Sequence, residues 1–408
     1  MVERLHLFAL VALAALLGLF EGPAQVAAVL ALLTTLATGR LRGFRLDLVD
    51  AGVLVWILAG VPGALDADSR LGSEQALRPL LALAYFLART SIAGGDDALK
   101  KRMAFAFALA LVVNGAYGWL QVLVIDPPIE RWIIGRQRTQ AIADPDAPGR
   151  LRMATGLYYN RIKLAHAGVV GLALLGVVAI DRDRRDRTKL ARDLAAIVLL
   201  GGAVLLSLRR AAPLALLLAM LLVSLLLWRP RLVRASAIAA ALGALVYVLS
   251  SQARARVETA TLAFDERWAM YSAAWSMFRD HWLLGVGHGD YGATIAPYAP
   301  AALAAVQDQR DLFSNAHNLY LQVLAETGVV GFAGFTLAIG GALVRGLTRA
   351  RRDRRESSVD ALGDRFALLG LTTLLLIGLV HAALYQAPVA LIFWALVGLA
   401  AGPAARRS

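Results

Sequence analysis

Residues 314–331 read SNAHNLYLQVLAETGVVG and carry His317, Asn318, Gln322 and Glu326 at the head of an apolar run. A histidine titrates near neutral pH and is suited to general-base work. Asn318, Gln322 and Glu326 recur at i, i+4 and i+8, which places them on one stripe of a helix. At 1.5 Å rise per residue, Glu326 lies roughly 14 Å beyond His317. A carboxylate that deep in an apolar helix is costly unless it faces the interior and is paired. The expectation is a helix that presents a polar stripe to a cavity, with His317 at its rim. The alternative is a capping and hydrogen-bonding cluster that fixes helix packing.

Cations recur beside other apolar runs. SLRRAAPLAL, 207–216, holds Arg209 and Arg210, and GLYYNRIKLAHAG, 156–168, holds Asn160, Arg161 and Lys163. Arginine forks fit phosphate oxygens in bidentate fashion, so convergence of these groups makes an anion site. Snorkelling to headgroups is the alternative for the arginine pair. In 262–282, Trp268, Tyr271, Trp275, Phe278 and Trp282 fall on one helical face, with Arg267 beside them. That face either packs the helix onto the rest of the protein or rests in the membrane–water interface. LLGVGHGDYG, 283–292, predicts an irregular glycine turn. It lacks the Lys-Ser/Thr pair of a nucleotide-binding loop, although its amides suit an anionic group. His6, His166 and His381 read as hydrogen-bonded core or interfacial histidines. His281 and His288 lie seven apart without a ligand pattern, so no metal site is expected.

These groups must be positioned by membrane helices. The chain has 408 residues, 59% of them hydrophobic, a formal charge of +13 and no cysteine. Its mean hydropathy is +0.62. The apolar excess points to lipid, and the charge falls in short islands between apolar runs rather than in one basic domain, which argues against nucleic acid. Without cysteine there are no disulfides and no thiolate zinc sites. Twelve spans are predicted: 5–21, 24–39, 49–65, 76–94, 103–125, 157–180, 191–208, 211–228, 234–250, 317–345, 364–385 and 387–403. With both termini in the cytoplasm, most of the short basic islands fall inside. Residues 1–250 then form nine helices with an external loop near 126–155. Residues 251–316 form a large external loop, and 317–408 supply the last three helices. The expected fold is therefore an all-α polytopic integral membrane protein with a long, mostly helical outer loop.

Taken together, SLRRAAPLAL, the ERW…LLGVGHGDY block and AHNLYLQVLAETGVVG resemble the O-antigen ligase / O-antigen polymerase superfamily, from about Gly156 to Gly331. The resemblance implies a bacterial inner-membrane enzyme whose site faces the periplasm, with a fold akin to C-type membrane glycosyltransferases. It implies transfer of a glycan from undecaprenyl pyrophosphate, inverting and without metal or other cofactor. Membrane lipids are the surroundings, and in a ligase the acceptor is lipid A–core oligosaccharide. By position, His317 matches the family's loop histidine and is the expected base. Arg210 and Arg267 match its arginines and are expected on pyrophosphate, with Arg161 and Arg209 as further candidates. Asn318, Tyr320, Gln322, Glu326 and His288 are expected to support them. A polymerase or a protein O-oligosaccharyltransferase would share the donor chemistry. A lipid-linked glycan transporter would show internal repeats, and none is evident.

Overall fold

In the computed structural model the described residues are 1–41, 44–60, 78–123, 154–158, 160–181, 186–227, 233–234, 237–238, 241, 263–299, 314–352 and 358–403. Most of the expected span 234–250, most of the loop 126–155, and residues 251–262 and 300–313 of the outer loop lie outside them.

The described residues form eleven long helices: α1 (Val2–Leu17), α2 (Glu21–Ala37), α3 (Leu48–Ala59), α4 (Asp97–Leu123), α5 (Arg161–Asp181), α6 (Arg187–Leu206), α7 (Ala211–Leu227), α8 (Ala263–Asp280), α9 (Leu319–Arg352), α10 (Val359–Gly378) and α11 (Ala387–Ala401). Four of these, α4, α5, α9 and α10, are long and apolar enough to cross a membrane. The apolar helices α2, α3, α7 and α11 are shorter. The span expected over 76–94 is not one helix. It divides into a 3₁₀ turn (Arg78–Ala82), an α-helical turn (Leu83–Leu87) and a π-helical turn (Ala88–Ile92). Pro79 lies in the first piece, and Arg89 is held by acids in the last. The span expected over 49–65 is helical only to Ala59, and the residues from 61 on lie outside the described ones.

Helix α9 organises the bundle. Asn318 starts it by accepting from the amides of Tyr320 and Leu321, each at 3.0 Å. The helix is broken at Gly328, where φ is 59° and ψ is −163°. Beyond the break the limb is about 36 Å long, enough for a hydrocarbon core of about 30 Å. It lies along α3 through small residues. A Cβ on Gly52 would stand 2.8 Å from the Gly334 carbonyl oxygen, and one on Gly334 would stand 2.8 Å from that of Gly52. Close backbone approach of this kind is how helices gain packing energy where lipid supplies no hydrophobic drive. Helix α10 packs against α5, α7, α9 and α11, and α6 packs against α4 and α5.

The consecutive antiparallel pairs α5–α6 and α9–α10 bring the start of α5, the end of α6, the start of α9 and the end of α10 to one end of the bundle. The opposite end is rich in ion pairs. Asp47 accepts from Arg89 at 2.5 Å and from Arg345 at 2.6 Å. Arg89 also binds Asp50, and Arg365 binds Asp181. Arg349 meets Asp364 at 2.8 Å, and Lys100 meets Asp360 at 2.6 Å. Arg345, Arg349 and Arg365 at this face therefore have acids.

Candidate active site

At the other end the arrangement is different. Arg161 is the first residue of α5, because Asn160 caps that helix by accepting from the amides of Ile162 at 2.8 Å and Lys163 at 3.2 Å. The preceding turn is pinned by α4. Gln121 accepts from the amides of Thr155 and Gly156, and Asn114 accepts from Leu157. Lys163, expected with the cations, instead binds Glu21.

Helix α6 ends on Ser207, and Leu208 follows with φ of 56°. That left-handed residue breaks the helical phase. Arg209 becomes half-buried, whereas Arg210 is exposed. Arg161 and Arg267 stand close enough to Arg209 that their charges, after burial, push its pKa down to about 10. Arg209 thus stands within reach of the charges of Arg161 and Arg267. The Nε of Arg209 is buried without a hydrogen-bond partner. Neither Arg209 nor Arg267 forms an ion pair among the described residues.

His317 borders this group, half-buried in the turn before α9. Its φ is 49°, a left-handed conformation, and its amide donates to Asn315 at 3.0 Å. Its ring stands edge-on to that of His381, with centroids 5.6 Å apart, and His381 stands edge-on to His166 at 5.0 Å. His381 lies in the connection between α10 and α11. Burial holds its pKa well below the ordinary imidazole value, reinforced by His166, His317, Arg209 and Arg267. The two histidines read as core residues therefore belong to the cationic cluster. The signal for them was their position at the same end of the bundle as the arginines.

The remaining expected site residues have other roles. Gln322 and Glu326 are fully buried rather than lining an open cavity. Gln322 takes the Ala316 amide and donates to Glu326 at 2.6 Å. Tyr385 also donates to Glu326, and the Tyr291 amide approaches it at 3.4 Å. The glycine turn docks on the α9 break. Val286 and Gly287 donate to the carbonyls of Ala325 and Glu326, each at 3.0 Å, and Val329 donates to that of Trp282 at 2.8 Å. The amides of Val286 and Gly287 are thus spent on the protein itself. Asn318 caps α9, and Tyr320 donates to the Leu375 carbonyl at 2.8 Å. His288 is buried, stacked on Tyr385 and edge-on to Trp56. Burial, with Arg78 nearby, pushes its pKa down to about 3. Its 3.8 Å approach to Glu326 is too long for a hydrogen bond, and a neutral imidazole makes no ion pair. These residues brace α9 from behind.

Helix α8 meets the bundle through Met270, Ala273, Ala274 and Met277, all buried. Trp268, Trp275 and Trp282 face outward, with Trp268 65% exposed. The three tryptophans of the stripe are therefore not what packs this helix, and their exposed indoles suit a headgroup region, whereas Tyr271 and Phe278 are half-buried.

Residues 195–336 match the family model described as O-antigen ligase. No curated protein matches the chain.

Proposed function

We propose that this chain, a member of the O-antigen ligase / O-antigen polymerase superfamily by the match over residues 195–336, transfers a glycan from undecaprenyl pyrophosphate to a hydroxyl of lipid A–core oligosaccharide. One observation carries the reading: Arg161, Arg209 and Arg267, from three separate elements, crowd together beside His317, and the charges that shift Arg209 are cationic. Clustered cations that repel one another suit a ligand bearing several negative charges. A pyrophosphate leaving group meets that description.

The chemistry then follows from the placement. The acceptor hydroxyl oxygen attacks the anomeric carbon while His317 takes its proton. The bond from that carbon to the pyrophosphate oxygen breaks, and the electron pair leaves with the pyrophosphate. The arginines stabilise the charge that grows there. Attack opposite the leaving group inverts the anomeric centre. In this reading the enzyme lies in the bacterial inner membrane with the cationic end toward the periplasm and both termini inside.

Purified protein given a lipid-linked glycan tests this directly. Lipid A–core, a second lipid-linked unit and a hydroxyl-bearing peptide are offered as acceptors. Transfer to lipid A–core is expected. Transfer to one of the others would replace the acceptor, and no transfer to any would sink the proposal.

A further inference from the structure

Four buried polar side-chain atoms at the cationic end have no hydrogen-bond partner: Nδ1 of His166, Nδ1 of His381, Nε of Arg209 and Oε1 of Gln386. They come from α5, from the α10–α11 connection and from the end of α6. They are neighbours, for the two rings stand 5.0 Å apart and the Arg209 charge reaches both. Buried polar atoms are almost always satisfied, and leaving one bare costs free energy. The three bare nitrogens, converging from three elements, point to a ligand that satisfies them together.

The surroundings define that ligand. The charged and titratable groups acting on His381 are Arg209, Arg267, His166 and His317. All are cations or potential cations, so the ligand is an anion with several acceptor oxygens. We propose that His166 and His381 complete the pyrophosphate site with Arg209, each donating from Nδ1 to a phosphate oxygen of the lipid-linked donor. This deepens the function proposed above and rests on it.

The division of labour among the three histidines has a physical basis. His381 is held neutral by its cationic neighbours and burial, so it donates a hydrogen bond without adding charge. Gln386 lies beside the His166 ring, and its Oε1, like the ring's Nδ1, has no hydrogen-bond partner. His317, half-buried at the rim, is the residue assigned to the acceptor hydroxyl. Hydrogen bonds to phosphate oxygens strengthen as the leaving group gains charge, so these donors act on the transition state more than on the bound substrate.

The test uses the purified full chain with farnesyl pyrophosphate as probe and farnesol as the uncharged control. Wild type is expected to bind the pyrophosphate and not the alcohol. His381→Ala and His166→Ala are each expected to weaken binding about tenfold, and His381→Asn, which keeps a donor, to recover part of the loss. In protein carrying ¹⁵N-histidine, the Nδ1 signals of both residues should shift on adding the probe, which a purely structural role would not produce. Thermal unfolding of each variant guards against misfolding, and where an alanine variant is unfolded the wild-type ¹⁵N shifts decide. Unchanged affinity in folded variants, or unmoved Nδ1 signals, overturns the inference while glycan transfer can still stand. Probe binding that depends on both histidines, in a protein that transfers no glycan, keeps the site and removes the proposed function.

Discussion

The Nδ2 of Asn318 donates to the carbonyl oxygen of Leu379 at 3.0 Å. This bond joins the turn that bears His317 to the turn that bears His381. The same side chain caps α9. The placement of the proposed base therefore follows from how a helix begins and which neighbour that beginning grips. Asn318→Ala removes the cap, a loss of about 1 kcal/mol, and also the tie to Leu379. The expected outcome is a lower unfolding temperature together with a fall in transfer rate. Asn318→Asp, which can cap but cannot donate, should restore stability more than turnover.

Replacement of His317 tests the base. His317→Asn tolerates the left-handed backbone at this position and removes the imidazole. The turnover rate should fall by roughly 10²- to 10⁴-fold, the usual scale of general-base catalysis. The KM for the lipid-linked donor should change little. Near-normal turnover in this variant would exclude His317 as the base.

The two adjacent arginines should separate sharply. Arg209→Lys keeps charge but loses the bidentate fork, and kcat/KM for the donor should fall about 10- to 100-fold. Arg210→Lys, at an exposed position, should stay within about twofold. The reverse order in side-by-side kinetics would restore Arg210 to the site.

The braced turn should respond to a single methyl group. A Cβ on Gly285, where φ is 74°, would stand 2.2 Å from the Glu326 backbone carbon. Gly285→Ala should therefore lower the unfolding temperature markedly, by several degrees or more. Gly340→Ala meets nothing within 4 Å and should be neutral or slightly stabilising, since alanine favours helix by up to about 1 kcal/mol. Equal unfolding curves for the two variants would show that the docking of this turn contributes nothing.

Acid should weaken the empty protein. His381 has a folded pKa well below the ordinary 6.5. Below 6.5 the unfolded chain binds a proton that the folded chain refuses, so stability falls as pH drops from 6.5 toward the folded value. Unfolding temperature against pH should show this slope, and His381→Asn should flatten it. A slope identical in the variant would assign the acid loss to other groups.

Much of this was legible from residue patterns, and the exceptions share a cause. The helices at α4, α5, α9 and α10 follow from apolar length, and the gathering of Arg161, Arg209, Arg267 and His317 follows from placing helix ends on one side. The different burial of Arg209 and Arg210 was not legible, because the left-handed Leu208 resets the facing of whatever comes after it. Periodicity carries no phase across such a residue. The i, i+4, i+8 stripe through Glu326 was read correctly as a stripe. Its burial depends on the glycine turn some forty residues upstream pairing its backbone with the α9 break, a contact between carbonyls and amides that side-chain spacing does not record. His166 and His381 were passed over for a similar reason. Each is unremarkable alone in an apolar run, and their meaning comes from standing 5.0 Å apart.

The unequal treatment of arginines at the two ends has a consequence at a distance. Where Arg89, Arg349 and Arg365 meet carboxylates, their fields close within the protein. Arg209 and Arg267 have no such partner among the described residues, so their potential extends into the medium for about 8 Å at physiological ionic strength. An anionic headgroup diffusing in the membrane plane is drawn before it touches the site. Added salt should therefore slow the capture of the lipid-linked donor more than it speeds its release.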